Sequence, residues 1–551
     1  MTKLYIDDNN IDVIDNCDYL SITNLTIEIT NNNNLLLNKI HKFKNLQVLN
    51  LFNNQITEIV GLDNLVNLQI LILYHNKITE IKGLDKLVNL KILDLTNNQI
   101  TEIKGLDNLV NLQVLNLSYN KITVIKNLDT LVNLQILNLT KNQIKEIKCL
   151  NNLVNLQKLY LYNNKIIEMK GLHTLTCLQE LNLNNNQITE IKGVDKLINL
   201  QILLLGTNRI TEINGLNTLV CLQKLKLSSN KITNIISLDK LVNLQELDLS
   251  YNQTTKIKGL DNLVNLQNLN LSYNKITKIE GFDNLINLQL LNICNNQITE
   301  ITELDNLANL QNLVLSYNKI EEIKGLDNLI NLQLLNICNN QITEIKELDN
   351  LVNLQDLFLS NNQIIEIEGL DKLISLQNLY LCNNKIIEIK GLNNLINLHK
   401  LHLTNNQITE IKELDNLVNL KELNLNNNER ANIFDIFFLT LYNKITEIKG
   451  LDKLVNLQKI FLCNNQITEI KGLNNLAGLK ELYLRNNNIK ELPPSLCSLR
   501  NINNICYSNN PIEHIPLSVQ TWLDRLSNVI YNHHRYNIHT DHIQNVYNQC
   551  T

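Results

Sequence analysis

The chain has 551 residues, of which 44% are hydrophobic but only 5% are aromatic, with four prolines and one tryptophan. This length exceeds a single hydrophobic core, and the scarcity of aromatic residues indicates a core of many similar layers rich in leucine and isoleucine. The formal net charge of −5 offers no attraction to phosphate groups, so neither nucleic acid nor an anionic membrane is expected as a partner.

The N-terminal stretch "MTKLYIDDNNIDVID" carries acidic residues and lacks the apolar segment of a secretory leader. No run of about 18 apolar residues, as a membrane span would need, is present. The eleven cysteines show neither disulfide nor metal-ligand spacing, which favours a reducing, cytoplasmic location. Residues 1–44 are predicted to form a cap with a degenerate first repeat, in which Ile27 and Ile29 stand one period before Leu49 and Leu51.

Residues 45–428 repeat with a period of 22 residues, as in "NLQVLNLFNNQITEIVGLDNLV" at 45–66. Such self-similarity indicates a stacked repeat architecture. In this repeat Leu49 and Leu51 alternate with Asn50, which predicts a short strand with one buried face. The following half, "ITEIVGLDNL", spaces its apolar residues three apart, which suits 3₁₀-like turns. One such unit cannot bury its leucines alone, so we expect neighbouring units to stack with their strands parallel.

An asparagine follows each predicted strand and recurs once per period, at Asn54, Asn76, Asn98 and onward. There the chain turns inward and buries backbone N–H and C=O groups that have no sheet partners. Because an amide side chain both donates and accepts, this column is predicted to link each turn to the next. Two further columns are predicted either to bond in the same way or to face water: Asn67, Asn89 and Asn111, and Gln69, Gln135 and Gln157.

The repeat resembles the leucine-rich repeat pattern LxxLxLxxNxI, in the 22-residue variety of phosphatase-regulator and internalin-type proteins, across residues 23–516. The resemblance implies an α/β leucine-rich repeat solenoid. In such a fold a curved parallel β-sheet lines the concave face, and turns and short 3₁₀ helices form the convex face. The surplus of asparagine, isoleucine and lysine is typical of an AT-rich genome, such as that of an amoeba-infecting giant virus or a protist. A viral protein of this kind is expected in the host cytoplasm.

The outward position between the paired leucines is the candidate binding surface, because this family generally binds partners there. One aromatic column occupies this position at Phe358, Tyr380 and His402, and continues at Phe461 and Tyr483. A second candidate patch comprises Ile70, Ile72, Tyr74 and Ile92, with Tyr160 and Tyr162 farther along. Clustered aromatic residues are typical of binding hot spots, but β-propensity and cross-strand packing explain an aromatic residue on a strand equally well.

Catalytic motifs are absent from the sequence, which has no glycine-rich phosphate loop, no HExxH and no GxSxG. The recurring acidic residues are predicted to form solvated charge ladders beside lysines: Glu58, Glu80 and Glu102, Asp63, Asp85 and Asp107, Lys82 and Lys104. Cys294, Cys338 and Cys382 stand two layers apart, too far for disulfides, and are interpreted as small residues. We therefore expect no enzyme activity, no cofactor and no metal.

The 22-residue period is interrupted at residues 429–442, which are predicted to be an irregular truncated repeat. It is either a damaged layer or a protruding apolar element that carries Phe434, Phe437 and Phe438. C-terminal repeats are predicted at 443–516, followed by a capping helix and polar tail at 517–551. The helix is predicted from the spacing of Val519, Trp522, Leu523, Leu526 and Ile530. The tail gathers His533, His534, His539, His542 and Cys550, which favours a polar, partly disordered segment over a zinc site.

The leading hypothesis for function is a non-enzymatic, monomeric, intracellular scaffold that binds another protein on its concave surface. Two alternatives follow from the resemblance: a regulatory or targeting subunit of an enzyme such as a phosphatase, and a secreted or surface adhesin of internalin type. A third alternative is an enzyme whose chemistry lies in the tail. A shared repeat period does not by itself transfer a partner.

Overall fold

The structure is a computed structural model that describes residues 2–10, 12–29, 39–426 and 443–526. The chain divides into two compact units. The first comprises Met1–Thr254 and Lys258–Leu266, and the second comprises Thr255–Ile257 and Gln267–Thr551. Each unit is a solenoid of parallel strands connected by turns, which confirms the predicted fold class.

The described residues of the first unit form twelve strands and a short helix, α1 (Val13–Asn16). The strands are β1 (Thr2–Asp7), β2 (Ile22–Glu28), β3 (Val48–Asn50), β4 (Ile70–Ile72), β5 (Ile92–Asp94), β6 (Val114–Asn116), β7 (Ile136–Asn138), β8 (Lys158–Tyr160), β9 (Glu180–Asn182), β10 (Ile202–Leu204), β11 (Lys224–Lys226) and β12 (Glu246–Asp248). Within this unit each strand from β2 to β12 pairs in parallel with the strand before it.

The described residues of the second unit form thirteen strands, a 3₁₀ helix (Pro494–Ser498) and a helix, α2 (Leu517–Arg525). The strands are β13 (Asn268–Asn270), β14 (Leu290–Asn292), β15 (Asn312–Val314), β16 (Leu334–Asn336), β17 (Asp356–Phe358), β18 (Asn378–Tyr380), β19 (Lys400–His402), β20 (Glu422–Asn424), β21 (Glu447–Ile448), β22 (Lys459–Phe461), β23 (Glu469–Ile470), β24 (Glu481–Tyr483) and β25 (Asn504–Cys506). Strands β21 and β23 form a separate two-stranded sheet, and the others pair in parallel in chain order.

The central residue of each three-residue strand, which is Ile460 in β22, Ile505 in β25 and leucine in the others, is buried in the core, while its two neighbours face outward. Leu49 pairs with Leu71, one period later, and both are fully buried. The flanking residues Val48 and Asn50 are half-buried on the open face of the sheet. This alternation follows from the pleat of a β-strand and leaves an ordered row of side chains available above the sheet.

The returning half of each repeat is built from turns. The backbone N–H of Leu65 donates to the carbonyl of Leu62, and that of Leu68 donates to Leu65, both at 2.9 Å. These i to i+3 bonds are of 3₁₀ type, as the spacing predicts, but each makes an isolated turn. Within the described ranges a 3₁₀ helix is present at Pro494–Ser498 alone.

The first layers differ from the sequence-based alignment. Leu25 of β2 pairs with Leu49 of β3, a step of two residues more than the regular period. The prediction that Ile27 stands one period before Leu49 was therefore wrong, because the paired residues Leu25 and Leu49 are 24 residues apart, whereas Leu49 and Leu71 are 22 apart. Strand β1 adds a further layer before β2, with Leu4 opposite Leu25.

The asparagine column changes partner at the irregular stretch. The backbone N–H of Ile408 donates to Oδ1 of Asn443 at 3.1 Å, 35 residues along the chain, where regular layers make this bond over 20 residues. The Asn443 amide also donates to the carbonyl of Leu425, so both residues belong to one turn. The period assigns this place to Asn428, which lies outside the described residues together with Phe434, Phe437 and Phe438. The layer is thus completed by residues that follow the stretch.

Helix α2 is present where its apolar spacing predicts it and packs against the 3₁₀ helix Pro494–Ser498. Val519 and Leu523 are its buried residues. Ile530 and the histidine-containing tail lie outside the described residues.

Candidate protein-binding surfaces

Within each unit, the asparagine column links the layers whose strands carry a candidate surface. Nδ2 of Asn76 donates to the carbonyls of Leu51 (2.9 Å) and Leu73 (3.0 Å), while its Oδ1 accepts the backbone N–H of Ile56 at 2.9 Å. The side chain is 8% exposed. Each asparagine therefore bonds its own layer and the preceding one, which confirms the predicted ladder and spaces the strands evenly.

The second asparagine column also links neighbouring layers. Nδ2 of Asn89 donates to the carbonyl of Val66 at 2.9 Å, and Nδ2 of Asn111 donates to that of Val88 at the same distance. These side chains are exposed, so they bond one layer and face water as well. Both interpretations of this column thus hold in part.

The N-terminal patch is an accessible apolar surface on β3, β4 and β5. Ile70, Ile72 and Ile92 are half-buried on the open face, and Tyr74 is 39% exposed. The Tyr74 ring stacks on Phe52, with centroids 5.3 Å apart. Phe52 occupies the outward position after Leu51, which the sequence analysis did not consider, because it considered mainly the position between the paired leucines.

The aromatic column of the second unit lies on successive strands, but its side chains pack against one another and are largely inaccessible. The rings of Phe358 and Tyr380 stack with centroids 4.7 Å apart and an interplanar angle of 7°, and Tyr380 meets His402 edge-on at 4.8 Å. The three residues are 4–5% exposed. The sequence analysis treated them as exposed anchors. Their burial leaves few atoms that a partner can reach without a rearrangement.

His402 extends this packing into a buried polar contact. Its Nε2 lies 2.9 Å from Oε1 of Glu422, at hydrogen-bond distance, and both side chains are nearly inaccessible. Farther along, Phe461 and Tyr483 stack with centroids 4.9 Å apart and are 4% and 8% exposed. Burial, together with the charge and hydrogen bond of Glu481, raises the pKa of the Tyr483 hydroxyl.

Tyr160 and Tyr162 are half-buried on and just after β8. The hydroxyl of Tyr160 donates to Oε2 of Glu180 at 3.0 Å, and Lys158 approaches the same oxygen at 3.6 Å. Burial, followed by the hydrogen bond to Glu180, raises the pKa of Tyr160 to about 12. This part of the face is therefore polar and internally paired.

The repeated acidic and basic residues form exposed ladders between layers. Lys82 lies 3.5 Å from Glu58, and Lys104 lies 3.4 Å from Glu80, with all four side chains at least 43% exposed. Within the described ranges, no group of three or more histidine, cysteine, aspartate or glutamate side chains is placed to hold a metal ion. In the same residues, no helix combines the length and apolar character that crossing a membrane requires.

Ile70 and Ile92, which the sequence assigns to the second candidate patch, belong to a longer apolar row at the first outward position of the strands that was not predicted. This row consists of Val48, Ile70, Ile92, Val114 and Ile136, all half-buried on the open face. A second row precedes the exposed asparagines and consists of Val66, Val88, Val110, Val132 and Val154, each 43–48% exposed. Comparing equivalent positions across repeats would have found both rows.

The chain belongs to the leucine-rich repeat family. The model described as leucine-rich repeats in two copies matches residues 66–108 and successive windows from 154–196 to 396–437. Two further leucine-rich repeat models match residues 88–144 and 478–499. No curated protein sequence matches the chain significantly.

Several solved structures have the same fold. The plant peptide hormone receptor RGFR1 in complex with RGF2 is 22% identical with a TM-score of 0.63, over 96% of this chain and 90% of the receptor. YopM from Yersinia enterocolitica is 23% identical with a TM-score of 0.61, over 82% and 86%. The ectodomain of the Arabidopsis thaliana receptor kinase GASSHO1/SCHENGEN3, in complex with CASPARIAN STRIP INTEGRITY FACTOR 2, is 23% identical with a TM-score of 0.58, over 92% and 68%.

Proposed function

We propose that the protein is a non-enzymatic, monomeric, intracellular scaffold that binds a partner protein through the open face of its first unit. The N-terminal patch of Phe52, Ile70, Ile72, Tyr74 and Ile92 carries this proposal. It joins a stacked aromatic pair to three aliphatic side chains on consecutive strands. Exposed apolar clusters of this kind on a polar protein are typical of protein-binding sites.

The fold supports the same use of the surface, since family members with this fold are generally binding scaffolds. RGFR1 in complex with RGF2 is one similar structure that holds a partner. The aromatic column at Phe358, Tyr380 and His402 remains a predicted partner site of lower rank, because its side chains are packed against each other.

Site-specific photocrosslinking tests the proposal. A photoreactive phenylalanine analogue at Ile72 is expected to crosslink one partner in cells, and Ile72→Glu is expected to abolish its co-purification. The matched control places the same analogue at Asn182, the equivalent position of β9, which should yield no such adduct. Equal adducts at both positions, or co-purification that survives Ile72→Glu, would move the binding site elsewhere. Size-exclusion chromatography with light scattering checks the monomeric state.

A further inference from the structure

A groove of about 1040 Å³ runs along the first unit at the edge where the strands begin. Each layer contributes one asparagine and one glutamine, from Asn45 and Gln47 to Asn155 and Gln157, and Lys91 replaces one glutamine. Leu20 lies in the lining of the first layer and Cys177 in that of the last. The groove is therefore a run of amide groups with one charged residue.

These amides retain hydrogen-bonding capacity. The exposed asparagines use Nδ2 for the carbonyl of the preceding layer, as Asn133 does with Val110 at 2.9 Å, which leaves Oδ1 as an acceptor. Among the described residues, the side-chain amides of Gln113, Gln135 and Gln157 have no protein partner, whereas Gln69 accepts from Lys91 at 3.2 Å. A free glutamine amide offers a donor and an acceptor side by side.

Apolar side chains border this amide floor on both sides. Gln47, Gln69, Gln113 and Gln135, with Lys91 in place of a glutamine, are followed by the half-buried row Val48, Ile70, Ile92, Val114 and Ile136, whereas Gln157 is followed by Lys158. The asparagines from Asn67 to Asn155 are preceded by the exposed row Val66, Val88, Val110, Val132 and Val154, whereas Asn45 is preceded by Lys44. In the four layers between Val66 and Ile136 the polar floor therefore has an apolar residue on each side.

We infer that this groove binds an extended, uncharged polypeptide segment and recognises its main chain. In an extended segment, successive side chains point to opposite sides, so they would reach the two apolar rows. The C=O and N–H groups between them would face the floor, where an amide can accept from one and donate to the other. A neutral oligosaccharide would match the amides but gain less from two aliphatic borders.

The repeat distances are compatible with this arrangement. Neighbouring layers are separated by about 4.8 Å, and a dipeptide of extended chain spans about 6.8 Å, so roughly three dipeptides cover four layers. The described layers from Thr23 to Gln157 give the groove a length of about 29 Å, enough for about eight or nine extended residues. Flexible glutamine side chains can absorb the remaining mismatch.

The charge distribution favours an uncharged segment. Lys91 is the one charged residue in the lining, and its Nζ already bonds Gln69. The strands that follow the groove carry paired charges instead, as with Lys224, Lys226 and Glu246. A charged segment would therefore find little compensation inside the groove, so it should bind less well there.

Fluorescence anisotropy with the full-length protein tests the inference. The probe is a capped nonapeptide with the repeating order Ser-Ser-Val-Val, which places valines on both sides of the extended chain, and it carries a neutral fluorophore. Binding is expected to weaken about tenfold for Gln113→Met/Gln135→Met, because two neutral hydrogen bonds are lost. Methylating every backbone nitrogen of the probe should weaken binding at least as much, because both edges of the extended chain then lose their donors. The matched control, Gln289→Met/Gln311→Met, changes the equivalent positions of the second unit and should leave the affinity unchanged.

The inference rests on the proposed protein-binding function but can fail separately from it. Ile72→Glu should leave the probe affinity unchanged while removing the partner of the sheet face. No binding of the probe at millimolar protein, equal binding of the methylated probe, or equal losses in both glutamine double variants would overturn the inference. Binding of cellohexaose without binding of the peptide would overturn it in favour of a glycan.

Discussion

The backbone N–H of Asn54 donates to the side-chain Oδ1 of Asn76 at 3.0 Å, so the turn that ends one layer is closed by a side chain of the next. The amide of Asn76 in turn donates back to Leu51 in the earlier layer. No layer therefore satisfies its buried backbone groups alone. Such nearest-neighbour coupling means that damage to one layer should be felt mainly by the layers beside it.

The first prediction follows from this ladder. Asn142→Ala removes an Oδ1 that accepts from Ile122 at 2.9 Å and an Nδ2 that donates to Leu117 at 2.9 Å and Leu139 at 3.1 Å. Leaving these buried groups unsatisfied should cost about 1–3 kcal/mol. Hydrogen exchange read by mass spectrometry is the appropriate measurement, because long repeat arrays do not unfold in a two-state manner. Protection should fall in the layers around β6 and β7.

Asn133→Ala is the matched control for this change. Asn133 lies in the second, exposed column and makes one bond, to Val110 at 2.9 Å. Its loss should cost only about 0.5 kcal/mol, because water can replace the donor. If Asn133→Ala lowered protection as much as Asn142→Ala does, the buried column would not be the element that holds the layers together.

The sequence predicts the periodic features well because each position is repeated many times. The buried leucines, the short strands and the ladder of Asn76 follow from spacing and from the need to pair backbone groups. Features that occur once were harder to place. The pairing of Leu25 with Leu49 and the role of Asn443 depend on which residues meet in neighbouring layers, and a linear period does not encode that contact.

The candidate site shows the same difference between features that the sequence predicts and features that depend on contacts between layers. The sequence places Phe358 and Tyr380 on neighbouring strands, and the structure confirms that they pair in register. Their burial was not predicted, since it depends on ring orientation and on how closely stacked rings cover each other. Phe52 was missed for a different reason, because its ring becomes part of a patch only through Tyr74, one period away.

The second prediction concerns a turn position where most layers carry glycine. Gly105 has φ +70°, and a Cβ added there would lie 2.5 Å from the carbonyl oxygen of Ile81. Glu347 occupies the same place in its own layer with φ +58°. Glu347→Gly should relieve left-handed strain and stabilise its layer by about 0.5–1 kcal/mol after the entropy cost of glycine. Gly105→Ala should destabilise its layer by about 1–3 kcal/mol.

Local hydrogen exchange again provides the measurement for both variants. The two changes in amide exchange rate should have opposite signs, with slower exchange around Glu347→Gly and faster exchange around Gly105→Ala. Destabilisation by Glu347→Gly would show that its side chain contributes more than the backbone conformation costs.

The third prediction addresses the stacked rings of Phe461 and Tyr483. A double-mutant cycle that replaces Phe461 and Tyr483 with leucine, singly and together, should give a coupling free energy of about 0.5–1.5 kcal/mol in stability. The reason is that the two rings stack with an interplanar angle of 6°. The pair Phe358 and Tyr483 serves as the control. These residues lie on strands that do not pair, so the effects of their substitutions on stability should be additive within about 0.5 kcal/mol. A coupling near zero for Phe461 and Tyr483 would contradict direct stacking.

The fourth prediction is a ranking of thiol reactivity. Cys149, Cys177 and Cys221 are exposed, whereas Cys294 is buried. Burial raises the pKa of the Cys294 thiol, and burial followed by the charge of Cys506 raises the pKa of Cys463 to about 12. Since the thiolate is the nucleophile, iodoacetamide at about pH 8 should label Cys149, Cys177 and Cys221 before Cys294 and Cys463. Peptide mapping after timed quenching checks the order, and early labelling of Cys463 in the folded protein would contradict it.

The fifth prediction is a pH-dependent contribution from Glu246 on β12. Burial alone would raise the pKa of this carboxyl, but the hydrogen bond from Lys224 and the charges of Lys226 and Lys224 outweigh it and lower the pKa below its usual value. A carboxyl with a lowered folded pKa stabilises the fold above the unfolded value of about 4.3 and loses that contribution as pH falls through the folded pKa. The contribution should be about 0.5 kcal/mol, because the group is partly exposed.

In the Glu246→Gln variant, the backbone amides in the layers of β11 and β12 should therefore exchange faster than in the wild type at about pH 7. The difference should shrink as pH falls below about 4, because both proteins are then neutral at this position. High salt should also reduce it, since the ion pairs are 30–34% exposed and subject to screening. The control Glu58→Gln, in an exposed pair at 3.5 Å, should show a much smaller difference. A Glu246→Gln effect that is independent of both pH and salt would mean that side-chain packing, rather than the lysine pairs, accounts for the stabilisation.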